Sequence, residues 1–191
     1  MKFWTVAPDA AMPHGMIRPD GPAKWLRMRY ANNDRLADMT DPIRISVING
    51  PNLNMLGTRE PNIYGHDTLA DIEARCRAIT DEAGHQLDWM QSNSEGDLIT
   101  TIQQANGVAD WIIINAAGLT HTSVALRDAL ALFNGGKIEI HLSNTHKRET
   151  FRHHSMISAV VNGVVMGFGA MSYIMAVRGV VEIARETETH G

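Results

Sequence analysis

From residue 43 onward, two hydrophobic rhythms alternate along the chain: short unbroken apolar runs, and longer stretches with apolar residues three and four apart. The first is the signature of a strand covered on both faces, the second of an amphipathic helix. Residues 43–48 read as a buried strand. Thr68 caps a helix whose apolar face is Leu69, Ile72, Cys76 and Ile79, with Gly84 as its stop. Residues 86–90 form a weaker strand, and Ser94-Glu95-Gly96-Asp97 is a capping-box-like start for a helix through Leu98, Ile99, Ile102 and Ala105 to Gly107. Residues 111–114 are a strongly apolar third strand. Thr122 or Ser123 opens the next helix, which runs through Val124, Leu126, Leu130 and Phe133 and stops at Asn134-Gly135-Gly136. Residues 138–142 and 163–166 supply the fourth and fifth strands, and residues 173–183 a closing helix.

Five strands are thus interleaved with four helices, the pattern of a parallel sheet with helices on both faces. The predicted fold is α/β and flavodoxin-like, with five parallel strands. Such sheets bind ligands beyond the carboxyl ends of their strands, so polar residues just after strands carry most weight. They are Asn52 and its loop, Gln91-Ser92-Asn93, residues 115–121, and His141-Leu142-Ser143-Asn144. Residues 49–65 make a long polar loop with Pro51, Gly57, Pro61 and Gly65, a length at which loops often serve as lids.

Composition changes sharply near residue 42. Residues 1–42 hold five of the seven prolines, five of the eleven methionines and no Glu, with no sustained apolar period. This predicts a poorly ordered or mobile N-terminal extension before a folded, flavodoxin-like domain spanning residues 43–191; Trp4 and Trp25 also fit an arm that anchors a partner or packs on the domain. The whole chain of 191 residues has a net charge of -4, which disfavours nucleic acid or an anionic membrane as partner and leaves a small metabolite. One cysteine, Cys76, excludes an intramolecular disulfide framework and suits a reducing compartment. No apolar run reaches transmembrane length and the first, residues 3–7, is short for a signal peptide, so the expected location is cytoplasmic.

Three strand ends carry candidate chemistry. Residues 115–123 place small residues and hydroxyls at a helix start, where free backbone N–H groups suit a carboxylate or hydroxylated ligand; an ordinary capped turn reads the same way. Glu139, His141 and Ser143 alternate and so share one face of a strand. A carboxylate two residues before a His can fix its tautomer and make it a proton donor near neutral pH, although a structural, hydrogen-bonded His is an equal reading. In the long loop, Arg59 precedes Tyr64 by five residues. A phenol is about one-thousandth ionised at pH 7, a deficit of roughly 4 kcal/mol for a phenolate base, and a guanidinium removes much of it. Ordinary loop residues remain the alternative.

Competing motifs are weak. Gly167-Phe168-Gly169-Ala170-Met171-Ser172 follows the last strand and lacks the third glycine of a dinucleotide fingerprint. His141, His146, His153 and His154 fall in no HExxH spacing and have no cysteine among them, which disfavours a metal site. Neither a GxSxG elbow nor a GxxxxGK[ST] phosphate loop occurs.

Long segments in order carry a resemblance: Asn49-Gly50-Pro51-Asn52-Leu53-Asn54-Met55-Leu56-Gly57-Thr58-Arg59-Glu60-Pro61, Tyr64-Gly65, Gln91-Ser92-Asn93, residues 115–128, and Glu139-Ile140-His141-Leu142-Ser143-Asn144 leading to Arg148-Glu149 and Phe151-Arg152. From residue 45 to about 183 the chain resembles the type II 3-dehydroquinate dehydratases. The resemblance implies reversible dehydration of 3-dehydroquinate to 3-dehydroshikimate by anti elimination through an enolate, a step shared by shikimate synthesis and quinate breakdown, with no cofactor or metal. It implies Tyr64 as base, Arg59 holding it as phenolate, His141 as acid oriented by Glu139, and Asn52 stabilising the enolate. Asn115, His121, Leu142, Ser143 and Arg152 are implied to hold the substrate, with Arg148 at the site edge. Asp128 is implied to reach a neighbouring subunit's site in a homododecamer built as a tetramer of trimers. The chain departs from the family pattern at Ser94, usually His, at Ser172, usually Gly, and in its extension.

Overall fold

Ile45 and Val47 turn to one side of the first strand and Ser46 and Ile48 to the other, and all four are buried. The computed structural model describes residues 42–57 and 67–189. The extension read over residues 1–42 therefore lies outside the described residues except for Pro42, and so do Arg59 and Tyr64.

Five strands, β1 (Arg44–Asn49), β2 (Gln86–Gln91), β3 (Trp111–Asn115), β4 (Gly136–His141) and β5 (Gly163–Met166), form one sheet in the order β2-β1-β3-β4-β5. All neighbouring pairs are parallel. The helices are α1 (Leu69–Glu82), α2 (Glu95–Ala105), α3 (Val124–Leu132) and α4 (Met171–Thr189). On one face, Ile45, Val47, Ile113 and Ile140 share a core with Ile72 and Cys76 of α1 and Tyr173, Val177 and Val180 of α4. On the other, Ile112 and Ile114 share one with Leu98 and Ile102 of α2 and Leu126 and Leu130 of α3. Each such fully buried aliphatic side chain contributes about 1.5–3 kcal/mol by leaving water. This is the flavodoxin-like architecture the alternation predicts, covered on both faces.

Helix starts follow local chemistry. At α1, Thr68 and Asp71 close a full capping box. At α2, Ser94 caps Asp97 N–H, but the Asp97 carboxylate takes the Ser92 hydroxyl at 2.6 Å instead of the Ser94 N–H, so the predicted box is not closed directly. Ser92 completes it by accepting the Ser94 N–H at 3.0 Å. At α3, Ser123 is the cap. Val124, the first residue of the helix, is 53% exposed, and Leu126, Ala129 and Leu130 form the buried stripe. The helix stops at Leu132, before the glycines, because Gly136 already opens β4, where a side chain would collide with the Trp111 ring. Ser172, the departure from Gly, is fully buried, and its hydroxyl accepts the Phe168 N–H at 3.3 Å.

Candidate active site

In the strand order β2-β1-β3-β4-β5, the chain reverses direction of growth between β1 and β3, and there the loops after both strands part over the sheet. Asn49 of β1 lies in register with Gln91 of β2 and Asn115 of β3, so three polar side chains end three neighbouring strands at one level. Just beyond, the Gly50 N–H donates to the Asn115 carbonyl at 2.8 Å. A Cβ on Gly50 would stand 2.6 Å from the Ala116 carbonyl oxygen, so only glycine permits this approach.

Asn115 is 3% exposed, and its amide points below the loops. Its Nδ2 donates to the Tyr173 hydroxyl at 2.9 Å, and Oδ1 accepts the Ala117 N–H at 3.3 Å. The Tyr173 hydroxyl in turn donates to Asn49 Oδ1 at 2.6 Å, and Asn49 Nδ2 donates to the Met90 carbonyl at 3.0 Å. Complete burial pushes the Tyr173 phenol well above its ordinary pKa, so it stays a neutral donor. The amide expected to hold substrate is thus also a brace between α4 and the sheet. Asn52 is exposed and adopts a left-handed backbone, φ 67°, with its N–H donating to Asn93 Oδ1 at 2.9 Å. Gln91 Nε2 donates to Asn93 Oδ1 at 3.1 Å and to the Gly50 carbonyl at 3.2 Å, which ties the first loop to the end of β2.

The ionisable groups gather at the end of β4. Glu139 is in register with Ile114, and so points to the α2 and α3 face; it is 1% exposed. Its Oε1 accepts His141 Nε2 at 2.7 Å. The same carboxylate accepts the Ser155 hydroxyl, at 3.0 and 3.1 Å to its two oxygens, and the Ser158 hydroxyl at 2.5 Å. Burial works to raise the Glu139 pKa, but hydrogen bonds from His141, Ser158 and Ser155 outweigh it and hold the carboxyl below its ordinary value. An ionised Glu139 can only accept, so His141 carries hydrogen on Nε2 and its Nδ1 is left for proton exchange.

His121 ends the short 3-10 turn after β3, Ala117–His121. Its ring stacks on His141 with centroids 6.3 Å apart and planes 13° from parallel. Its Nδ1 donates to the His154 carbonyl at 2.8 Å. Desolvation, and then repulsion from His141 and Arg152, lower its pKa, so His121 is a neutral hydrogen-bonding ring at pH 7. His121, Glu139, His141 and Arg152 line one cavity of about 160 Å³, together with Thr120, Ser155 and Ser158. The Arg152 guanidinium lies 4.8 Å from the Phe151 ring centroid, and its Nε donates to Glu149 at 2.8 Å. It is the cation of that cavity available to a carboxylate.

The other expected residues stand apart from the cavity. The Ser143 hydroxyl accepts from Arg148 Nη1 at 3.4 Å, past the end of β4. Leu142 buries its side chain in the α1 and α4 core, and its carbonyl accepts the Gly169 N–H at 2.8 Å. Asp128 is on the exposed side of α3, paired with Arg127 at 3.2 Å. Thr120 falls in the segment 115–123 that the sequence marks for a hydroxylated ligand, whereas Ser155 and Ser158 escaped the sequence reading. The two serines lie 16 and 19 residues beyond Glu139, and only the SxxS spacing marks them. Among the described residues, no group of three or more His, Cys, Asp or Glu comes together as a metal site.

The model of the family described as dehydroquinase class II matches residues 43–181. The chain belongs to this family. The class II dehydroquinase match covers the entire sheet and α1 to α3. A 3-dehydroquinate dehydratase of Jannaschia sp. (strain CCS1) is 54% identical over 140 residues, 73% of this chain and 95% of that protein. One of Brucella canis is 50% identical over 147 residues, 77% of this chain and 94% of that protein. Among solved structures, the type II dehydroquinase of Butyrivibrio crossotus superposes with a TM-score of 0.70 at 43% identity, covering 74% of this chain and 98% of that one. That of Propionibacterium acnes gives 0.71 at 38% identity, with 74% and 99% covered.

Proposed function

We propose that this class II dehydroquinase catalyses the reversible dehydration of 3-dehydroquinate to 3-dehydroshikimate by anti elimination through an enolate. The buried Glu139–His141 pair at 2.7 Å, beside neutral His121 and cationic Arg152, is the observation that carries the reading. A hydroxide is a poor leaving group and needs a proton as it departs, and His141 Nδ1 supplies it, with Nε2 held by Glu139. Removal of the proton beside the ketone needs a strong base, and the family pattern assigns this to Tyr64, with Arg59 favouring the phenolate. Negative charge then collects on the ketone oxygen, where Asn52 stabilises it. Arg152 takes the substrate carboxylate, and His121, Ser143, Asn115 and the backbone at Leu142 bind its oxygens; Arg148 borders them. Asp128, pointing away from its own chain's cavity, serves the site of a neighbouring copy in a homododecamer.

The test is ultraviolet detection of the conjugated enone from 3-dehydroquinate, with wild type compared with Tyr64→Phe. Wild type turns over, and folded Tyr64→Phe loses at least about a hundredfold in kcat. Equal rates would remove Tyr64 as base, and a folded wild type without turnover would remove the reaction. Light scattering on the same preparation checks the assembly, since a fully active monomer is incompatible with Asp128 serving a neighbour.

A further inference from the structure

The Glu139 carboxylate has more donors than a simple Glu–His pair needs, and their arrangement is directional. Oε1 takes His141 Nε2, and Oε2 takes Ser158 at 2.5 Å, with the Ser155 proton shared between the two oxygens. Ser155 has no choice in this. Its two lone pairs are used by the Ile157 N–H at 3.2 Å and the Ser158 N–H at 3.0 Å, so its one hydrogen is left for Glu139. A neutral carboxylic acid would have to aim its own O–H at groups already donating. The serines come from the turn after residue 154, a different element from β4, and their link to Glu139 crosses 16 and 19 residues.

We infer that Ser155 and Ser158 are positioning residues of the active site, a hydroxyl clamp that keeps Glu139 ionised and fixes the His141 proton on Nε2. The inference rests on the proposed role of His141 as the acid. The hydroxyls stabilise the bare Glu139 anion more than the anion paired with imidazolium, whose charge is already offset. They therefore make the pair release its proton more readily, as an acid must. Among the described residues, the other charged or titratable groups around this pair are these: His121 stacks on His141, Arg152, His146 and His153 line the same cavity, and Lys137 precedes Glu139 on β4 with its Nζ on the Phe133 carbonyl.

The experiment is a pH titration of histidine side-chain nitrogens by NMR on the full-length protein, run beside kcat–pH profiles. In wild type, His141 is protonated on Nε2 above the midpoint of the pair. Ser158→Ala moves that midpoint up by about one pH unit, the scale set by losing one hydrogen bond to a charged group, and the basic limb of kcat moves with it. Ser158→Thr, which keeps the hydroxyl, restores the wild-type midpoint. Ser158→Cys keeps the volume with a far weaker donor and reproduces the Ala shift if Ser158→Ala does not fold. A folded Ser155→Ala/Ser158→Ala protein with the wild-type midpoint and tautomer would overturn the clamp. The titration is read whether or not the protein turns over 3-dehydroquinate, so the clamp and the reaction fall separately.

Discussion

Two buried polar clusters lie under the carboxyl end of this sheet, and they differ in one respect. Around Tyr173, Asn49 and Asn115 every group is neutral, and each hydrogen bond is answered within the protein. Around Glu139, the groups ionise, and the chain of bonds ends on a ring nitrogen of His141 beside a cavity. Neutral, closed clusters hold elements in place at little electrostatic cost, whereas an open cluster with a fixed charge stores a proton where a ligand can use it. On the proposed reading, the first cluster builds the platform and the second performs the chemistry on it.

Glu139→Gln strikes the second cluster hardest. An amide can present a donor to His141 and no longer stabilises an imidazolium, so kcat falls by about two to three orders of magnitude while the fold persists, as circular dichroism and enone detection will report. The same variant sharpens the difference in pH response. A carboxyl held below its ordinary value of 4.5 stabilises the native state above that pH, and the contribution is lost as pH falls through the folded value. His121, lowered from 6.5, acts with the same sign: its contribution is complete above about 6.5 and declines as pH drops toward its folded value. Unfolding measured from pH 7 to pH 3 therefore shows a shallower acid loss in Glu139→Gln, and an unchanged slope would mean that Glu139 titrates normally.

Tyr173→Phe tests the first cluster. It strips Asn49 and Asn115 of a partner in the dry interior and costs about 1–3 kcal/mol in denaturant unfolding, yet kcat changes by less than about tenfold. A loss in kcat as large as that of Glu139→Gln would erase the distinction between platform and site. Deleting residues 1–40 removes no member of either cluster and leaves turnover at the wild-type level; a folded truncation without activity would make the N-terminal segment part of the site or of the assembly.

Much of the scaffold was legible because its signals are local. The apolar runs at β1 and β3 and the caps at Thr68, Ser94 and Ser123 place their elements to within a residue or two. The start of β4 was not legible, since Gly135 and Gly136 look like a helix stop, and it is the pairing of Gly136 with Trp111 and the bond from its N–H to the Asp110 carbonyl that begin the strand there. In the site, the Glu139–His141 pair was visible because its members are two residues apart on a strand. Ser155 and Ser158 were invisible because no periodicity relates them to Glu139, and the double duty of Asn115 depends on Tyr173, 58 residues away.

The close crossing at Gly50 makes the spacing of the loops after β1 and β3 a main-chain property. The contact runs from the backbone at Gly50 to the backbone at Ala116, so no side-chain rotation opens it. A side chain at position 50 would therefore have to push the two loops apart, because no neighbouring rotamer can give way.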